Sequence, residues 1–258
     1  MNDTKQKFCI RNWYHQTLTK SQRVFLVVLL FNAAGLGFVV YNFFSSLQTN
    51  AFGSPFMNGF TTISSFTNQT SVLLFIFSFV FVFYPNNSLL KNERFLVFCM
   101  TYTLFTFLTG GIFQNLVDQT ANRTNFSRAS LLSGIFLQIV NPIVFIFCGY
   151  LRFVFNPIKK IRGYSKFILP GMIYPIIYMI YVLTIPLVYK TPDNVVYSVY
   201  GNYTNVITNR TMAITIGVLM TFVYFPGSFI FIIFFIRRFN NHYYRVTQIR
   251  VRLGLKSK

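Results

Sequence analysis

The sequence predicts an all-α polytopic integral membrane protein, a six-helix transmembrane bundle with both ends in the cytoplasm. Three observations predict it. The 258 residues are 53% hydrophobic and only 10% charged, whereas a soluble chain carries roughly a quarter charged residues. Six separate stretches reach the ~20 apolar residues that a membrane helix needs. Finally, 19 of the 23 Lys and Arg fall in alternate connections and the two tails, the side that the positive-inside rule makes cytoplasmic.

A basic tail, 1–23, carries Lys5, Lys7, Arg11, Lys20 and Arg23. The first span is expected at 24–46. It is too long for a cleaved signal peptide and reads as an uncleaved span. Its Asn32, Ala33, Gly35 and Gly37 include a small pair, Ala33 and Gly37, at the spacing that favours close helix packing. The second span, 62–84, opens on a crowd of polar residues from Ser64 to Ser71, and Lys91 and Arg94 follow it. The third, 95–117, ends on Thr109, Gly110, Gly111, Gln114 and Asn115.

The fourth span, 130–153, carries Gly134, Gln138 and Asn141 at helical spacing, then Pro142. The fifth, 167–189, carries Tyr174, Pro175, Tyr178, Tyr181 and Pro186. Each proline frees a carbonyl and can kink its helix. The sixth span, 211–236, leads into a second basic tail, 237–258, so the transmembrane domain covers 24–236. None of the six holds Asp, Glu, Lys, Arg or His, apart from Arg152 at the end of the fourth. Each must be helical, because an unsatisfied backbone group in hydrocarbon costs several kcal/mol. The remaining cations, Arg123, Arg128, Lys190 and Arg210, lie on the far side. There the segment 190–210 offers Tyr197, Tyr200 and Tyr203 as interfacial aromatics or a lid.

The net charge of +19 suits an anionic surface, but the charges alternate with apolar runs. The membrane therefore explains them, and nucleic-acid binding is not expected. Cys9, Cys99 and Cys148 have no paired spacing and are expected on or near the reducing side. With His15 and His242 both in the tails, no structural metal and no cofactor is expected.

The informative residues are therefore uncharged. Gly134, Gln138 and Asn141 are expected to share one stripe, as are Tyr174, Tyr178 and Tyr181. Gln138 is expected about 12 Å below the outer end of its helix. Thr67, Gln69, Gln114 and Asn115 also fall in the outer half. Two readings stand: interhelical hydrogen bonding, or a polar pocket that admits a ligand.

At these positions the chain resembles the six-helix membrane proteins related to androgen-induced proteins, which hydrolyse fatty acid esters of hydroxy fatty acids. Phe66-Thr67-Asn68-Gln69 is similar to that family's Phe-Thr-x-Gln, and Thr109-Gly110 with Gln114 to its Thr-Gly segment. Gln138 through Pro142 is similar to His-x-x-x-Pro of bacterial relatives, and Tyr174-Pro175 with Tyr178 to Tyr-Pro-x-x-Tyr. The resemblance implies Thr67 as nucleophile, but Gln138 stands where the His would be, and a hydroxyl nucleophile needs a base. Thr70-Ser71 also departs from the Ser-Asn often found there. The sequence therefore predicts a membrane protein that binds a lipid or other apolar molecule in an outer-leaflet cavity, without hydrolase activity. Gln69, Gln114, Asn115, Gln138, Asn141, Tyr174 and Tyr178 are the expected ligand-binding residues. A Thr67 ester hydrolase and a solute-binding subunit of a transporter are the alternatives. Beyond the bilayer, anionic lipid is a candidate partner of the C-terminal tail, although the topology signal alone accounts for the tail's charge.

Overall fold

The structure, a computed structural model, describes residues 13–48, 54–114, 128–158, 163–190 and 196–252; the side chains of 91–92, 112–114, 128–130 and 250–252 are outside the description. Among the described residues six helices are long and apolar enough to cross a membrane: Lys20–Leu47, Phe66–Phe83, Arg94–Gly111, Leu131–Phe155, Ser165–Val188 and Arg210–Ile249. These are the first to sixth spans below. Among the described residues there is no strand, only a single bridge between Lys190 and Val196. Large side chains such as Leu30, Phe44, Phe147, Leu169, Ile177 and Phe222 stand exposed around the bundle, the surface expected where lipid is the solvent.

The first span begins with a capping box. Thr19 accepts from the Gln22 backbone, and the Gln22 side chain accepts from the Thr19 backbone. This satisfies two orphan donors of the first turn. The Gln22 amide also donates to the Val82 carbonyl at 3.1 Å. Ten residues on, the Asn32 amide donates to the Leu74 carbonyl and the Ser78 hydroxyl, both at 3.0 Å. These two polar rungs fix the first two spans antiparallel. Gly149 packs against Met100 and Gly110 against Gln138, which sets the third and fourth antiparallel. The first four spans form a closed cycle, the first touching the fourth. The sixth packs on the third and fourth, and the fifth on the sixth and third.

The second span starts at Phe66, later than the pattern suggested. A short helix, Pro55–Ile63, ends first at Ser64. Ser65 is extended and caps the span by accepting from the Asn68 backbone. The sixth helix does not stop with its apolar run at 236; it runs on through Arg252. At 1.5 Å per residue the 40 residues to Ile249 extend about 60 Å, twice the hydrocarbon thickness.

Three spans contain a π turn: Phe107–Gln114, Phe136–Val140 and Met220–Tyr224. The second and third of these end just before Asn141-Pro142 and Phe225-Pro226. In each, the residue before the proline donates five residues back, Asn141 to Phe136 and Phe225 to Met220. The widened turn relieves the clash between a proline ring and the carbonyl four residues earlier. It also adds a residue, so side chains on either side no longer share a stripe. Gly134 consequently faces open space, whereas Gln138 meets Gly110 and Asn141 meets Gly35. The expected Gly134–Gln138–Asn141 face is broken. The Ala33–Gly37 pair is not a packing surface either: nothing stands near a Cβ placed on Gly37, and the close approach falls at Gly35.

At the basic end, side chains lock the spans to their connections. Arg152 pairs with Glu93 at 2.6 Å, and Asn156 donates to Ser21. Burial pushes the Glu93 carboxyl up, and the Arg152 guanidinium partly offsets this. The Asn240 amide clamps Ile158, accepting from its N–H at 2.8 Å and donating to its carbonyl at 2.9 Å. Arg237 stacks over Tyr164 at 4.1 Å.

Candidate functional site

The polar residues at the opposite end gather around the Ile63–Phe66 turn. A turn between two helices leaves carbonyls without intrahelical donors. Here side-chain amides and phenols supply them. Asn68 donates to the Thr62 carbonyl at 2.6 Å, and Gln69 to those of Ile63 and Ser64 at 3.2 and 3.4 Å. The Gln69 oxygen accepts from Tyr174 at 2.6 Å. Tyr178 donates to the Ser64 carbonyl at 3.0 Å, so the 2.8 Å contact between Tyr178 and Tyr200 has Tyr200 donating. Tyr200 in turn accepts from the Phe66 N–H at 3.1 Å. Ser64 donates to Thr61, leaving its oxygen to accept from Tyr197 at 3.2 Å. Burial pushes the Tyr197 and Tyr200 phenols above the usual range, so both stay neutral donors.

This cap holds the start of span two, the fifth span and the 196–204 segment together. Tyr174, Tyr178 and Tyr181 do share one face, as their spacing predicts; neighbouring ring centroids are 6.2 and 6.1 Å apart. Beneath the cap lies Phe66, 2% exposed. It is ringed by Tyr102, Phe105, Tyr174, Tyr178 and Phe225, with centroids 5.1–5.9 Å away. An aromatic plug therefore fills the space directly below the polar cap.

Of the expected ligand-binding residues, the structure brings Gln69, Tyr174 and Tyr178 into one hydrogen-bonded group. Gln138 sits apart, between spans three and four. Any Cβ on Gly110 would stand 2.8 Å from its amide carbon, so glycine is what admits it. Asn141 faces the first span. Thr67 is half-buried, and its carbonyl accepts from Ser71. The Gln114 side chain and all of Asn115 lie outside the described residues.

Sequence reasoning missed an apolar groove. Ala34, Gly37, Phe38 and Tyr41 of span one and Leu132 of span four enclose about 420 Å³. Gly37 forms its open floor, and Tyr41 stands exposed at one end. A second groove of about 320 Å³ lies between spans three and six, over Gly227 and Ser228. The signal available in the sequence was Gly37 itself, which the small-pair pattern assigned to packing.

Comparison with known proteins adds the following. The pattern of a family described as "Protein of unknown function (DUF1600)" matches residues 131–242. "Uncharacterized protein MG452" of Mycoplasma genitalium is 32% identical over 234 residues, 89% of this chain and 86% of that protein. Its Mycoplasma pneumoniae homolog is 32% identical over 232 residues, 86% of each. "Uncharacterized protein MG133" of Mycoplasma genitalium is 30% identical over 210 residues, 72% of this chain and 77% of that protein. No solved structure matches. None of these relatives connects the chain with the androgen-induced hydrolases.

Proposed function

Because the chain belongs to the same family as the MG452 proteins of Mycoplasma genitalium and Mycoplasma pneumoniae and itself carries six helices of membrane-spanning length, we propose that it is a lipid-binding multi-pass protein of the cell membrane. Its basic end faces the cytoplasm. It holds an acyl chain in the groove between spans one and four. The observation that carries this reading is the groove itself, about 420 Å³ with a lining almost wholly apolar. From Ala34 to Tyr41 it runs about 10 Å along span one, at 1.5 Å per residue. Tyr41, exposed at its outer end, offers a phenol to an ester or headgroup oxygen, as tyrosines do at membrane interfaces.

The site differs from the polar cavity that the sequence suggested. Gln69, Tyr174 and Tyr178 are committed to the cap above the aromatic plug. An ester hydrolase working through Thr67 would need a base beside that hydroxyl. Among the described residues, His15, His242 and Glu93 all lie at the basic end, away from Thr67.

The test is lipid retention. Full-length protein is labelled in bilayers with a photoactivatable fatty-acid probe and the adduct mapped. Labelling should concentrate on residues 34–41 and 132. Gly37→Leu should reduce it several-fold without loss of folding, since nothing stands within 4 Å of the added Cβ. Gly227→Leu, which fills the second groove, should leave it unchanged. Equal labelling of the wild type and Gly37→Leu would remove the reading.

A further inference from the structure

Inside the cycle of the first four spans lies a second polar feature, independent of the groove. Asn32, Thr70, Thr106 and Asn141 come one from each span, and none is more than 2% exposed. Five of their atoms have no hydrogen-bond partner: Asn32 Oδ1, Thr70 Oγ1, Thr106 Oγ1, and both Nδ2 and Oδ1 of Asn141. Buried polar groups are normally paired. A helical hydroxyl has a ready acceptor in the carbonyl four residues back. Ser71, Ser78, Thr101, Thr103 and Thr109 all use it. Thr70 and Thr106 do not.

Packing puts the four within about one helical turn of each other in depth. The Asn141 amide lies against Gly35, one turn along span one from Asn32. Asn32 bonds the Leu74 carbonyl, and Thr70 is one turn from Leu74 in the same direction. Gln138 meets Gly110, and Asn141 and Thr106 lie three and four residues from that contact, both toward the basic end. Toward the basic end Phe25, Phe77 and Phe145 meet with centroids 5.6–6.1 Å apart. One turn from Thr70 toward the other end, Phe66 packs on Phe105 at 5.1 Å.

We propose that Asn32, Thr70, Thr106 and Asn141 form an occluded mid-membrane site for a small uncharged molecule that both donates and accepts hydrogen bonds. The two orphan amide oxygens need donors, and the Asn141 Nδ2 needs an acceptor. A metal cation supplies no acceptor, a bare anion such as chloride supplies no donor, and among the described residues no carboxylate lies beside the four to balance a cation. Water meets every requirement with one or two molecules, and small polyols and amides present the same groups.

Water-edited solid-state NMR on full-length, asparagine-labelled protein in bilayers tests this. The Asn141 side-chain signal is identified by its loss in Asn141→Leu. It should receive magnetisation from water as an exposed asparagine does. Persistence of that transfer in glycerol and in urea assigns the site to water, and its loss in either assigns it to that solute. A dry Asn141 amide in all three conditions overturns the proposal. A stability arm has the opposite sign for the two cases. Thr70→Val with Thr106→Val removes ligand contacts from a filled site and should lower the melting temperature. In an empty site the same change relieves two unpaired hydroxyls, so an unchanged or raised melting temperature also overturns it.

Discussion

Single residues in this protein repair what its prolines break. Pro175 has no N–H to give the Gly171 carbonyl one turn back. The Tyr102 phenol from span three supplies the missing donor at 2.6 Å. Gly171 itself is held open for the ring of Phe229, leaving no room for a Cβ. Tyr102→Phe should therefore strand a buried carbonyl and cost about 1–3 kcal/mol, read as a shift in detergent denaturation. In Pro175→Ala the helix regains its own donor, so Tyr102→Phe in that background should cost much less. Equal losses in the two backgrounds would mean that the phenol does not substitute for the missing N–H.

At the scale of elements, the pattern of apolar residues located all six spans, because a run without charge has only one place to go in water. It did not locate the π turns. Two of the three arise where a proline ring meets a carbonyl inside a packed helix, and Pro142 or Pro226 alone does not say whether the helix kinks, breaks or widens. The face drawn through the turn of span four was displaced, which is why Gln138 and Asn141 lost their shared stripe while the tyrosines of span five kept theirs. Thr70 and Thr106 went unsingled for a related reason: their importance lies in bonds they do not make.

The sixth span's extension was read as a tail because its residues are polar. Asn240 explains how it stays helical and docked, by clamping both backbone groups of Ile158. Asn240→Leu should free that connection. Trypsin should then cut faster at Lys159, Lys160 and Arg162 in membranes opened on the basic side, while the spans stay intact. An unchanged cleavage rate would show that the clamp does not hold the loop.

For the whole molecule, the distribution of charge is the property that supports the proposed orientation. Nineteen cations, among them the Arg152 that pairs with Glu93, belong to one end, and the tyrosine cap belongs to the other. Moving the basic end across the bilayer would carry those cations with it, each at a cost of about 2.5–3.5 kcal/mol at mid-membrane even on the mildest scale. The sixth helix sharpens the point. Its length beyond Ile236 requires a compartment on the basic side, since about 24 Å of helix extends past the last buried apolar residue at 1.5 Å per residue. In a background lacking Cys9, Cys99 and Cys148, an impermeant maleimide should label Asn202→Cys in intact cells. Lys5→Cys and Gln248→Cys should react only after lysis. Labelling of Asn202→Cys and Lys5→Cys from the same side would contradict an even number of crossings between them, and labelling of Gln248→Cys in intact cells would reverse the bundle.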